Sequence, residues 1–111
     1  MKRLTIPAYA AALMLTAAWA HSADAADNWK TNCAACHGAD GAGHTKAGRM
    51  VRVKDMTDAN YQKTFTDDQA AKQIKGGLTD PSGTERMKAF GDKFSDADIT
   101  ALVAYIRSLQ K

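Results

Sequence analysis

An all-α domain is what the sequence predicts, on three observations. Near the C-terminus, Ile99, Leu102, Val103 and Ile106 fall at i, i+3, i+4 and i+7, the spacing that lays apolar side chains along one helical face. Thr66-Asp67-Asp68-Gln69 has the T-x-x-Q form of a capping box, and Ser95 stands ahead of Asp96 and Asp98 as a second helix start. No period-2 alternation of any length appears, so no sheet is expected. With 111 residues, 45% of them hydrophobic and 24% charged, the chain has the composition of one packed domain and not of a disordered or collagenous one.

Each element has its own signal. Residues from about Ala25 to Ala35 read as a first helix, with Trp29 one turn before Cys33. Gly38, Gly41, Gly43 and Gly48 follow within eleven residues, which marks a loop. Thr57 opens a short helix through Tyr61. The capping box at Thr66 starts another, running through Lys75 with Gly76 as its stop. Thr84 to Gly91 reads as an irregular segment between helices. The helix begun at Ser95 is the clearest: Asp96 and Asp98 complement the positive end of its dipole, and Tyr105 offers a ring to pack on Trp29.

The N-terminus reads as a leader, not as part of that domain. Met1-Lys2-Arg3 is a positive start, Leu4 to Ala17 is mostly apolar, and A-x-A sites follow at Ala18-Trp19-Ala20 and Ala23-Asp24-Ala25. Residues 1–25 are expected to be a cleaved signal peptide, cut after Ala20 or Ala25, leaving a domain at 26–111 outside the cytoplasm, periplasmic or otherwise exported. A retained anchor would need roughly 20 apolar residues, and this stretch is shorter and broken by Pro7. Losing Lys2 and Arg3 leaves 13 basic residues against 12 acidic ones, or 11 if Asp24 is lost too. The pI near 9.0 is therefore partly the leader's. Lysines are scattered among aspartates without a basic run, so neither nucleic acid nor another polyanion is an expected partner.

A chain this short needs a staple beside its core. Two cysteines in an oxidising compartment would suggest a disulfide, but they lie in Cys33-Ala34-Ala35-Cys36-His37, a CxxCH sequence. In that pattern two thiols add to the vinyl groups of a haem and the next residue carries its imidazole under the iron. Cysteines three apart share a helical face, which is why the spacing works. Two other readings compete. A thioredoxin-like dithiol expects a preceding strand and a larger α/β domain, and a structural zinc site needs four ligands, for which only His37 and His44 could join the cysteines.

A haem held from one side by His37 leaves its other face for a second ligand. The candidates are Met50, Met56, Met87 and His44. Met50 and Met56 are read as core-filling methionines and His44 as a solvated loop residue. Met87 lies 50 residues beyond His37, just ahead of the last capped helix, where the chain can pass round the ring edge. It is the expected sixth ligand.

Several segments together resemble a small bacterial class I (monohaem) c-type cytochrome: Trp29-Lys30-Thr31-Asn32-Cys33-Ala34-Ala35-Cys36-His37-Gly38, Asp40-Gly41-Ala42-Gly43, Met87-Lys88-Ala89-Phe90-Gly91-Asp92-Lys93-Phe94-Ser95 and Leu102-Val103-Ala104-Tyr105-Ile106-Arg107-Ser108-Leu109. The resemblance covers nearly the whole mature chain. It implies a cytochrome c-like fold, with short helices and loops wrapped round one covalent haem c and with crossing terminal helices. It also implies soluble single-electron carriage with His37 and Met87 as axial ligands. Three positions depart from the usual pattern. Lys88 replaces the proline common after the ligand methionine, Ala25 stands at the small residue usually glycine, and the loop after His37 lacks the proline whose carbonyl often receives the imidazole N–H.

Redox proteins are the expected partners of a monomer that is not an enzyme, with Lys30, Lys46, Lys75 and Lys88 as rim charges steering them. A haem enzyme or gas sensor with an open sixth site is the alternative from another class. A dedicated subunit of an oxidoreductase complex is a third.

Overall fold

The computed structural model describes Arg3 and residues 20–111, with side chains from Asp24 onward within the first helix. Most of the leader therefore lies outside the described residues. In chain order the elements are α1 (Ala20–Asn32), α2 (Ala34–His37), α3 (Lys46–Val51), α4 (Ala59–Gln62), α5 (Asp67–Gly76), β1 (Leu78–Thr79), β2 (Glu85–Met87) and α6 (Asp96–Ser108). Helix dominates, as the periodicity requires.

The core forms where α1, α5 and α6 meet. Trp29, Ile74, Phe94, Ile99, Leu102, Val103 and Ile106 are buried in one cluster, so the stripe read on the last helix does face inward. Ala25, 2% exposed, lies one turn before Trp29 on the buried side of α1. A single methyl there lets α1, the helix that leads into the cysteines, approach α6 closely. The Trp29 and Tyr105 rings meet at 5.6 Å, tilted by 47°. Both cap signals operate: Thr66 and Gln69 form a complete capping box on α5, and Ser95 and Asp98 form one on α6.

The buried Gln62 explains how α4 is fixed. Its amide donates to the carbonyls of Met56 (2.7 Å) and Ile106 (2.9 Å), and its oxygen accepts from Arg107 (2.9 Å). Arg107 also donates to the Gln62 carbonyl, to the Phe65 carbonyl at 2.7 Å and to Asp67 at 2.8 Å, with its guanidinium 4.4 Å from the centre of the Phe65 ring. One arginine thus satisfies the chain's turn from α4 into α5 and ties it to α6.

Several local expectations change. The first helix does not run unbroken to Ala35: α1 ends at Asn32, Cys33 stands between at φ −114°, and α2 resumes at Ala34. The glycine-rich stretch is not all loop, because Gly48 lies inside α3. A Cβ on Gly48 would collide with the Cys36 carbonyl oxygen, so glycine here is a close-packing residue and not a breaker. Thr45 caps α3 by accepting from the Gly48 amide at 2.8 Å while its hydroxyl donates to the Cys36 carbonyl at 2.7 Å. The next helix starts at Ala59 with Asp58 as its cap, and Thr57 is instead held by Asp55. The segment around Met87 is irregular only in part: residues 88–90 carry no regular structure, but Glu85–Met87 is a strand. It forms the second strand of a two-stranded antiparallel hairpin with Leu78 opposite Met87. Strands of two and three residues are too short to show alternation. Met50, expected in the core, is 70% exposed, whereas Met56 packs against the core as expected.

Candidate functional site

The CxxCH segment is shaped by its capping groups. Cys33 bonds back to the Trp29 carbonyl (2.8 Å), and His37 donates its amide to the Cys33 carbonyl (2.9 Å), so α2 is one tight turn. Gly38 ends it at φ 82°, a conformation in which a side chain is strained. The Trp29 indole N–H then binds the Gly38 carbonyl at 3.1 Å, locking the turn to α1.

Both thiols are free and half-buried. Burial, reinforced by the neighbouring Cys36, pushes the Cys33 thiol up to about 11. A dithiol redox centre needs a depressed, exposed thiol, so this environment disfavours that reading. Among the described residues, no group of three or more His, Cys, Asp or Glu side chains gathers to hold a metal ion, and His44 is exposed in its loop, so a zinc site is not assembled either.

His37 is different. Burial lowers its pKa below the ordinary imidazole value, which keeps the ring neutral and available as a ligand. Its ring lies 5.4 Å from that of Trp29, tilted by 36°. Among the described residues, its buried Nδ1 has no hydrogen-bond partner.

Met87 stands at the end of β2. The hairpin is hung from the end of α5 by two backbone bonds, Phe90 N–H to the Ile74 carbonyl (2.9 Å) and Gly91 N–H to the Lys75 carbonyl (3.0 Å). Gly77 at φ 74° makes the exit from α5, and a Cβ there would come within 2.6 Å of the Met87 carbonyl oxygen. The chain therefore turns back tightly enough to bring residue 87 over the same hollow as residue 37.

That hollow has an inner and an outer part. Cys33, His37 and Met87 line an inner cavity of about 100 Å³, with Trp29, Phe65, Ile74 and Leu102 among its apolar walls. They also line an adjoining open cleft of about 770 Å³, which Cys36 borders as well. Ligand sites commonly span about 300 to 1,000 Å³. Of the other candidates, Met56 lines both parts, while Met50 and His44 line neither. Residues not anticipated from sequence are Tyr61 and Gln73, which border both parts, and Arg52, Lys54, Arg86 and Lys93, which make a basic rim with the expected Lys88. Lys30, Lys46 and Lys75 do not border the cleft, and Lys75 instead pairs with Asp96 at 3.0 Å. A clue for Gln73 was its place four residues after Gln69, one turn along the same helix.

A helical domain folded round an apolar hollow, with a CxxCH turn on its wall, defines a protein built to enclose a flat prosthetic group. The model of the cytochrome c family matches residues 22–110, and the chain belongs to that family as a small class I c-type cytochrome. Members carry covalently attached haem c and act as electron carriers. Two similar solved structures are the KustC0563 c-type cytochrome and a tyrosine-to-phenylalanine mutant of that same protein. The first is 28% identical with a TM-score of 0.69, covering 79% of this chain and 99% of that one. The mutant is 28% identical with a TM-score of 0.67, covering 78% and 99%. No curated protein matches the chain.

Proposed function

We propose that this chain is an exported monohaem electron carrier in which Cys33 and Cys36 hold the haem covalently and His37 and Met87 are its axial ligands. The observation that carries the reading is that His37 and Met87, 50 residues apart in sequence, line one cavity together with Cys33. The residues present fit the group. The imidazole is held neutral and its buried Nδ1 has no hydrogen-bond partner among the described residues, the thioether is neutral, and the walls of the cavity they share are apolar. Bound haem supplies a one-electron iron couple. His37 and Met87 contribute neutral donors that suit both oxidation states, so little rearrangement accompanies electron transfer. Trp29, Phe65, Ile74 and Leu102 exclude water and disfavour the more highly charged ferric state, which raises the potential. No side chain of the cavity is asked to move a proton. Arg52, Lys54, Arg86, Lys88 and Lys93 outnumber Glu85 and Asp92 on the outer cleft, which suits docking to acidic redox partners. Export rests on the leader sequence. The buried position of Ala25 in α1 favours cleavage after Ala20, since a cut after Ala25 would remove it.

The test is an absorption spectrum of the purified mature protein in both oxidation states. His/Met ligation gives a weak far-red charge-transfer band in the ferric form. Met87→Ala is expected to abolish it, lower the potential and admit carbon monoxide, while Met56→Leu and Met50→Leu retain it. Persistence of the band in Met87→Ala overturns the ligand assignment. Rapid carbon monoxide binding by the unsubstituted protein would favour an open-site haem enzyme or sensor instead.

A further inference from the structure

We infer that Arg107 is a redox-tuning charge, a guanidinium fixed against the wall of the inner cavity where it favours the reduced form of the site; this rests on the proposed seating of the haem between His37 and Met87. Arg107 lines neither the cavity nor the cleft. Phe65 does line the cavity, and the centre of its ring lies 4.4 Å from the guanidinium carbon, so the charge adjoins the lining without facing the hollow. Its position is set by the fold. The guanidinium donates to the carbonyl and side-chain oxygens of Gln62, to the Phe65 carbonyl and to Asp67. Gln62, 2% exposed, in turn donates to the carbonyls of Met56 and Ile106. Met56, Phe65 and Ile106 all line the inner cavity. The two side chains that tie these wall residues together by their carbonyls therefore also hold the charge at a set place behind them.

An arginine does not lose its proton in a protein, so this charge is permanent. Among the described residues its ionic partner is Asp67, at 2.8 Å, and the two are unequally covered: the Arg107 side chain is 31% exposed and that of Asp67 71%. Water screens the carboxylate more than the guanidinium, and a net positive field remains on the cavity side. The other partners of Arg107 are neutral oxygens, which satisfy its N–H groups without cancelling its charge. Oxidation adds one positive charge at the iron, and a fixed positive charge nearby opposes that step. Arg107 acts in the same direction as the apolar walls, from outside them.

Three variants of the holoprotein separate charge from packing. Arg107→Gln removes the charge, Arg107→Lys keeps it but loses the planar fork, and Asp67→Asn removes the counter-charge at an exposed position that folding should tolerate. At low ionic strength and fixed potential, Arg107→Gln should shift the ratio of reduced to oxidised haem about threefold or more toward oxidised. Arg107→Lys should stay within about twofold of the parent, and Asp67→Asn should shift the ratio toward reduced by a smaller factor than Arg107→Gln shifts it the other way. The far-red band should remain in all three. An Arg107→Lys shift as large as that of Arg107→Gln, or loss of the band in either, would make Arg107 a packing residue and overturn the inference. Should neither Arg107 variant fold, Asp67→Asn decides alone: no shift, or a shift toward oxidised, overturns it. Failure of Met87→Ala to remove the band would instead overturn the ligation on which the seating rests, so the two failures are distinguishable.

Discussion

Asp80 shows how one side chain can make a short hairpin viable. Its Oδ1 accepts from the Ser82 amide (3.0 Å), the Ser82 hydroxyl and the Thr84 amide (3.0 Å), and its Oδ2 accepts from the Arg86 guanidinium (2.8 Å). Hydrogen bonding, chiefly from Ser82 and then from Thr84 and Arg86, holds its carboxyl down at about 2. A folded-state pKa below the unfolded one gives stability that is complete above about pH 4 and is lost as pH falls through about 2. Asp80→Asn should therefore flatten the acid limb of a stability-against-pH curve in that window, and an unchanged limb would show that the turn does not depend on the charge. Asp80-Pro81-Ser82-Gly83 carries turn chemistry in the bare sequence. That turn announces the hairpin that alternation could not, because β1 has only two residues. Residue identity was likewise enough to nominate Cys33, Cys36, His37 and Met87. It was insufficient for Gln73, whose contact with Met87 depends on the return of the chain after the Gly77 turn.

At the scale of the element, the helices that stand on burial and caps were legible and those that stand on contact were not. α5 and α6 announce themselves through capping boxes and an apolar stripe, and both formed where expected. α3 did not, since its defining residue, Gly48, has the local preference of a breaker and is retained because the Cys36 carbonyl leaves no room for a methyl. Gly48→Ala should raise helix propensity yet destabilise the fold by roughly 1 to 3 kcal/mol, because the obstructing atom is backbone and cannot swing aside. A denaturation midpoint equal to or above the parent's would show that α3 slides freely on α2. Leu102, 1% exposed at the centre of α6, tests the opposite case of plain apolar burial. Leu102→Ala should cost about 2 to 5 kcal/mol, read from chemical denaturation, and an unchanged midpoint would mean that the α6 stripe is not the core's centre.

For the whole molecule, the sequence suggests an apolar core completed by a prosthetic group, and the arrangement of hollow and core bears on how folding proceeds. The hollow abuts Trp29, Ile74, Leu102 and Ile106, four residues that also belong to the buried cluster. A group seated there would share walls with the core instead of occupying an appendage. Cys33→Ala with Cys36→Ala, expressed with export and maturation intact, is accordingly expected to give little cooperatively folded helical protein. A fully helical, cooperative product lacking haem would show that the core suffices alone. The same view bears on the mature N-terminus. Mass spectrometry of the exported protein should place it at His21, and a start at Ala26 would mean that the α1–α6 crossing does without Ala25.

The hairpin's attachment has a consequence in time as well as in space. The two sides of the cleft belong to different stretches of chain: the CxxCH turn is locked onto α1 by the Trp29–Gly38 bond, whereas the Met87 strand hangs from the end of α5 by two amides. Breaking those two bonds, together with lifting Met87 and Phe90 off the core, would free residues 78 to 90 while the Trp29–Gly38 bond stays in place. Native-state hydrogen exchange should therefore find the Phe90 and Gly91 amides opening together at a free energy below that of the Trp29–Leu102 core, as a separate cooperative unit. Such an opening would unlatch the Met87 side of the cleft while the CxxCH side stays closed, at a frequency set by those two backbone bonds and by the seating of Met87 and Phe90 on the core.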